Sequence, residues 1–225
     1  MVKFGTCSTI LGVVCKDGVI LGTEKIVVNK MMVSGTDKRL YSVTKAIGAV
    51  VNGIVPDGRQ MMFRAREECE QYEQNFGIKI PGQVLADRMA LQFHQRTMYG
   101  GYRPVGASII FACHDKMKGA SLWMIEPSGQ MYQYYGCATG RGKQLARNEI
   151  EKGKFRELTV KQALPAVAKM LLKAQDEVRE KKMELELSVL SEETNWTHRV
   201  LDRATTDRMT TAAQDEIDNE DEEMN

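Results

Sequence analysis

Two short apolar runs near the start, Ile10-Leu11-Gly12-Val13-Val14 and Val19-Ile20-Leu21-Gly22, are separated only by Cys15 and Lys16-Asp17-Gly18. β-branched residues flank an Asp-Gly pair, and glycine tolerates the positive φ of a tight turn, so the stretch predicts a β-hairpin. Its strands are apolar on consecutive positions instead of alternate ones, which suits strands covered on both faces. A hairpin of this kind needs a layer above it and a layer below it.

The rest of the chain supplies material for such layers. Arg39 to Val43 and Ala46 to Val51 read as two more strands, and Gly48 and Gly53 mark places where something packs close to the backbone. Asp57 is a plausible N-cap for a helix carrying Met61, Met62, Ala65, Cys69 and Tyr72 at helical spacing, with a charged outer face and Gly77 as its end. Pro81 opens a second helix with Val84, Leu85, Met89, Leu91 and Phe93 as its apolar stripe. Val105–Cys113, Ser121–Glu126 and Gln130–Tyr135 follow as strands, the last two separated by the Pro127-Ser128-Gly129 turn. Gly140-Arg141-Gly142 leads into a third helix, and Thr159 is the expected N-cap of a fourth with Ala163, Val167, Met170, Leu171, Ala174 and Val178 on its core face. Met183 to Val189 alternates strictly, as a half-exposed strand does. Pairs of helices between groups of strands predict an α+β fold with helix layers outside two stacked sheets. The expected domain is residues 1–203, followed by a polar-to-acidic tail at 204–225, partly disordered, since Asp215 to Glu223 contains no basic residue.

Composition excludes several functions. With 31 basic and 30 acidic residues the net charge is +1, which provides no global attraction for nucleic acid or an anionic membrane. No apolar run reaches the roughly 18–20 residues of a spanning helix. Five scattered cysteines without a CxxC pair predict reduced thiols and a cytoplasmic or nuclear location. The three histidines lack ligand spacing, so neither a metal nor another cofactor is expected. Gly140-Arg141-Gly142-Lys143 lacks the Walker spacing and reads as a hairpin-helix turn.

Several segments in order carry a resemblance. They are the hydroxyl pair Ser8-Thr9 with Lys16-Asp17-Gly18 and Glu24, Asp57-Gly58-Arg59, Arg103-Pro104-Val105-Gly106-Ala107-Ser108, Leu122 to Gly129, and Gly136 to Gly142. Over about residues 7–192 the chain resembles subunits of the 20S proteasome and, within them, the alpha class. Lys38-Arg39-Leu40, Asn148 to Lys152, Glu184 to Ser188 and the acidic end look most like the subunit at the seventh position of the alpha ring. The resemblance implies the four-layer αββα sandwich of the N-terminal nucleophile hydrolases. It also implies a non-catalytic scaffold role, with the chain helping to form the substrate antechamber in ATP- and ubiquitin-dependent protein degradation. Implied partners are the other alpha subunits in a seven-membered ring, the beta ring, and regulatory particles at the outer face. Alpha subunits carry a Tyr-Asp segment and an N-terminal helix ahead of the first strand, so the resemblance implies either a sequence incomplete at its start, the favoured expectation, or a variant that does not gate.

Active members of the family attack with an N-terminal threonine hydroxyl whose own amine is the base. Counting back from Lys16-Asp17-Gly18 places that role on Ser8, which follows Cys7 where the family cleaves after glycine. Gly5-Thr6 lies two residues too early, a displacement of roughly 6.6 Å along a strand. The catalytic aspartate falls on Glu24 and the catalytic lysine on Arg39, which stays protonated. No catalytic residue is therefore expected; the alternative is a self-processed threonine or serine hydrolase starting at Thr6 or Ser8. Lys38 and Arg39 are the residues implied in a pocket between subunits that accepts the C-terminal tails of regulatory particles.

Overall fold

The computed structural model describes residues 8–26, 31–33, 35–174 and 183–223 of the chain. Two five-stranded antiparallel sheets face each other. The first has the order β10-β9-β2-β1-β8, from β1 (Ile10–Val14), β2 (Gly18–Ile26), β8 (Gly136–Thr139), β9 (Met183–Ser191) and the two-residue β10 (Arg199–Val200). The second is a meander of consecutive strands: β3 (Leu40–Thr44), β4 (Ile47–Gly53), β5 (Ala107–Asp115), β6 (Gly119–Ile125) and β7 (Met131–Tyr134).

Side-chain alternation sorts the core into three leaflets. Ile10, Val19, Leu21 and Leu190 from the first sheet meet Val50, Ile110, Leu122 and Met124 from the second between the sheets. Each such side chain, fully buried, contributes about 1.5–3 kcal/mol. On the outer face of the second sheet, Val51, Ile109, Phe111 and Trp123 pack against Met61, Met62, Leu85, Met89 and Phe93 of α1 (Val55–Phe76) and α2 (Gly82–Met98). On the outer face of the first, Leu11, Val13, Ile20 and Leu187 pack against Ala163, Val167, Met170 and Leu171 of α4 (Val160–Lys173), with Ala146 of α3 (Lys143–Lys152). This is the expected αββα sandwich.

The hairpin is present, Val14 pairing with Val19, but Gly18 is required for a different reason. Its φ is not positive; a Cβ there would lie 2.5 Å from the Leu190 carbonyl of β9, so the glycine admits a neighbouring strand. The close approaches expected at Gly48 and Gly53 are found: the His198 ring fills the space a Cβ at Gly48 would take, and Gly53 (φ +107) abuts the Gly106 carbonyl. Gly77 closes α1 in the left-handed conformation, and Thr159 caps α4, the Gln162 side chain accepting the Thr159 N–H at 3.0 Å.

Several local expectations are corrected. Asp57 lies inside the first turn of α1, not at its cap, because its carboxylate is engaged by the Arg103 guanidinium (2.6 and 2.7 Å) and the Gly106 N–H (2.9 Å). Those bonds hold the Asp57 carboxyl below the ordinary range. Leu91 of the α2 stripe faces outward. Gly136–Thr139, to which the sequence assigns no element, is a strand added to β1. Most of the stretch 204–225, expected as a partly disordered tail, forms α5 (Arg203–Glu223), which lies on α4. Thr206 and Ala213 are buried there, Met209 and Ile217 pack on the same core, and Glu216 pairs with Lys169 at 3.3 Å. Val178 lies outside the described residues.

Candidate functional site

The N-terminal end of β1 is where the fold places the residues matched to catalytic positions. Ser8 (3 % exposed) and Thr9 run into β1, and Glu24 (3 %) lies across from Thr9 near the end of β2. The Thr9 N–H and hydroxyl both donate to Glu24 Oε1, at 3.0 and 2.8 Å, and Thr9 Oγ1 in turn accepts the N–H of Gly142 at 3.0 Å. Gly142 is the N-cap of α3, so a single hydroxyl ties two strands to a helix start. Gly140, at φ +114, makes room for the Ser8 carbonyl, which a Cβ would approach to 2.1 Å. Burial raises the Glu24 carboxyl above its ordinary value; the two Thr9 bonds and the Arg141 charge oppose that rise. Glu24 Oε2 is buried without a hydrogen bond.

Lys25, the next residue, points to the opposite face. Its Nζ contacts Glu186 Oε1 at 2.7 Å and donates to the Asp37 carbonyl at 2.8 Å. Glu186 Oε2 accepts the backbone N–H of Arg39 at 3.2 Å. The Arg39 guanidinium (residue 8 % exposed) reaches the Gly53 carbonyl at 3.4 Å, and its Nε lies 3.4 Å from Asp37 Oδ1. Lys38, between them, is exposed.

The three matched positions therefore do not converge. Glu24 is held by Thr9 on the helix side of the first sheet, whereas the Arg39 guanidinium lies against Asp37 and the Gly53 carbonyl, and only its backbone N–H reaches Glu186. The Ser8 nitrogen is bonded to Cys7, so the amine that would act as base is a peptide nitrogen in this chain. Gly5 and Thr6 lie outside the described residues. Burial pushes the thiols of Cys15, Cys69 and Cys137 up to about 12, which leaves them protonated at neutral pH. Among the described residues no group of His, Cys, Asp and Glu side chains is placed to hold a metal ion. Sequence reading missed Thr9 as the partner of Glu24; the equal register of the hydroxyl pair against the end of β2 was the available signal.

The proteasome subunit family matches residues 2–190 of the chain. Proteasome subunit alpha type-3 of Oryza sativa is 44% identical over 190 residues, 84% of this chain and 76% of the relative. Proteasome subunit alpha type-3 of Dictyostelium discoideum is 40% identical over 193 residues, 86% of this chain and 77% of the relative. The probable proteasome subunit alpha type-7 of Saccharomyces cerevisiae is 36% identical over 225 residues, 98% of this chain and 77% of the relative. Sandwich, sealed strand start and relatives agree, and the chain belongs to the proteasome subunit family as a non-catalytic alpha subunit of type 3.

Proposed function

We propose that the chain occupies one position of a seven-membered alpha ring stacked on a beta ring. There it walls the substrate antechamber in ATP- and ubiquitin-dependent protein degradation in the cytoplasm and nucleus. The observation that supports this reading is the outer surface of the α1–α2 layer. Its inner row is buried on the second sheet, while Phe63, Phe76, Ile78, Leu91 and Met98 remain exposed on α1, α2 and the turn between them. An apolar surface of that kind calls for covering by another protein, and neighbouring proteasome subunits are the partners the family offers.

Native mass spectrometry of the particle purified from cells tests the placement. The expected result is release of this chain, uncut at Thr6 or Ser8, from a large particle of many distinct subunits. A small free species beginning at Thr6 or Ser8, with peptidase activity abolished by Ser8→Ala or Thr6→Ala, would replace the reading with a self-processed hydrolase. Phe63→Glu together with Leu91→Glu is expected to keep the chain out of the particle.

For the outer face, Lys38 and Arg39 are proposed as the residues that meet the C-terminal carboxylate of a regulatory particle. Because the Arg39 head is already occupied, Lys38 is the better placed of the two. Lys38→Ala is expected to weaken binding of such a tail peptide to the particle, whereas Arg39→Lys is expected to change it little. Unchanged binding in Lys38→Ala would remove this residue from the pocket.

A further inference from the structure

The segment between β9 and β10 crosses from one sheet to the other. The Glu192 N–H donates to the Asp17 carbonyl in the β1–β2 turn, at 3.0 Å, while the His198 N–H donates to the Lys45 carbonyl in the β3–β4 turn, at 2.7 Å. Between these points the backbone is strained: Asn195 (φ 51) and Trp196 (φ 53) both adopt the left-handed region, unusual for any side chain and especially for a bulky one. The Trp196 ring stacks flat on His114 of β5, centroids 3.8 Å apart at 8°. The His198 imidazole enters a notch that exists because residue 48 is glycine; a Cβ there would lie 2.1 Å from the ring.

We propose that residues Ser191–His198 form a proton-controlled clasp between the two sheets, closed only while the His198 imidazole is neutral. The residue is 6 % exposed. Nδ1 lies 2.8 Å from Ser42 Oγ, and Nε2 is buried with no hydrogen-bond partner. With the proton on Nδ1 donated to Ser42, only an acceptor lone pair is left unmatched, the less costly arrangement. Protonation would place a second N–H and a full charge against Gly48, with no acceptor in reach. The charged groups on the surrounding elements do not compensate. Lys45 in the β3–β4 turn is a cation, and Arg66 of α1 donates to the Ser42 carbonyl at 2.9 Å. His114 of β5, the second titratable ring of the clasp, is itself held below its ordinary value by burial, a shift that Asp115 opposes. Burial accordingly lowers His198 from 6.5 to about 4.

The sign follows from linkage. A histidine that regains its ordinary value on opening takes up a proton between those two values, so acid favours the open clasp. Between pH 7.5 and pH 5 the opening equilibrium rises roughly 30-fold. Opening releases Trp196 from His114 and loosens β10 from the Ser188–Val189 edge of β9.

Hydrogen exchange by mass spectrometry on the particle containing the full chain tests this. Exchange at the imidazole C2 carbon reports the titration of His198, and backbone amide exchange over residues 191–198, corrected for intrinsic rate, reports opening. The expected results are a His198 titration below pH 5 and roughly 30-fold less protection at pH 5 than at pH 7.5. His198→Gln is expected to remove most of that pH dependence and His114→Gln to retain most of it. Titration of His198 near 6.5 with the clasp still protected would overturn the proposal, as would pH dependence that disappears in His114→Gln. If the His198→Gln chain fails to assemble, the wild-type titration and protection decide the matter together.

Discussion

Glu24 and Lys25 are adjacent in β2, equally buried, and handled in opposite ways. Glu24 faces the helices and is met by a hydroxyl and an amide, with its second oxygen unmatched. Lys25 faces the other sheet and is met by a carboxylate and a carbonyl. One residue of register thus separates a carboxyl whose ionisation is opposed by burial from an ammonium supplied with a full counter-charge. The contrast teaches that the two layers were built for different tasks. The inter-sheet end joins β2 and β9 through an ion pair and ties both to the backbone just before β3, and the helix side seals the start of β1 through small polar groups.

The contrast can be broken experimentally, beginning with its stronger half. Glu186→Ala strands a buried ammonium and is expected to cost about 3–5 kcal/mol in urea denaturation of the full chain, with Lys25→Met/Glu186→Leu regaining most of the loss. A cost below 1 kcal/mol would mean that water screens the pair. Glu24→Ala leaves the Thr9 N–H and hydroxyl without their acceptor and is expected to cost about 1–3 kcal/mol. Glu24→Gln keeps Oε1 and removes the charge, so its effect at pH 7 is expected to stay within about 1 kcal/mol. It also sharpens the comparison through pH. A carboxyl whose folded value is raised above 4.5 lends stability that is present below 4.5 and lost as pH climbs through the folded value. Wild type should therefore lose stability relative to Glu24→Gln as pH rises from 4.5, and a gap that widens in the other direction would show that Thr9 stabilises the carboxylate outright. Lys38→Ala, on the exposed turn beside this network, should change stability by less than about 0.5 kcal/mol.

Much of this architecture was legible because its signals were long. The hairpin, the α1, α2 and α4 stripes and the alternation of β9 each spread over many residues. What escaped was short or carried by small side chains. Gly136-Cys137-Ala138-Thr139 has little β propensity, and only pairing with β1 makes it a strand. In α5 the apolar positions Met209, Ala213 and Ile217 recur every fourth residue, a helical period hidden by the surrounding acids. The matched positions Ser8, Glu24 and Arg39 came from the family likeness, but which face each occupied depended on strand parity. Asp57 looked like a cap because nothing local announces that Arg103 and Gly106 would claim its carboxylate.

The different wiring of the two sheets also imposes a timetable on the growing polypeptide. The second sheet joins strands in sequence order, all within residues 40–134, and its covering helices α1 and α2 lie inside that span. The first sheet pairs β1 with β8 and β2 with β9, so it cannot close until residues 183–191 have been synthesised. Local pairings form faster than distant ones. The meander with its two helices can therefore mature first on the ribosome, its face carrying Val50, Ile110, Leu122 and Met124 met only by the early β1–β2 hairpin until Leu190 of β9 emerges in the final quarter of the chain. In that interval the first sheet has unpaired strand edges and incomplete cover, the features that make a folding chain prone to aggregate.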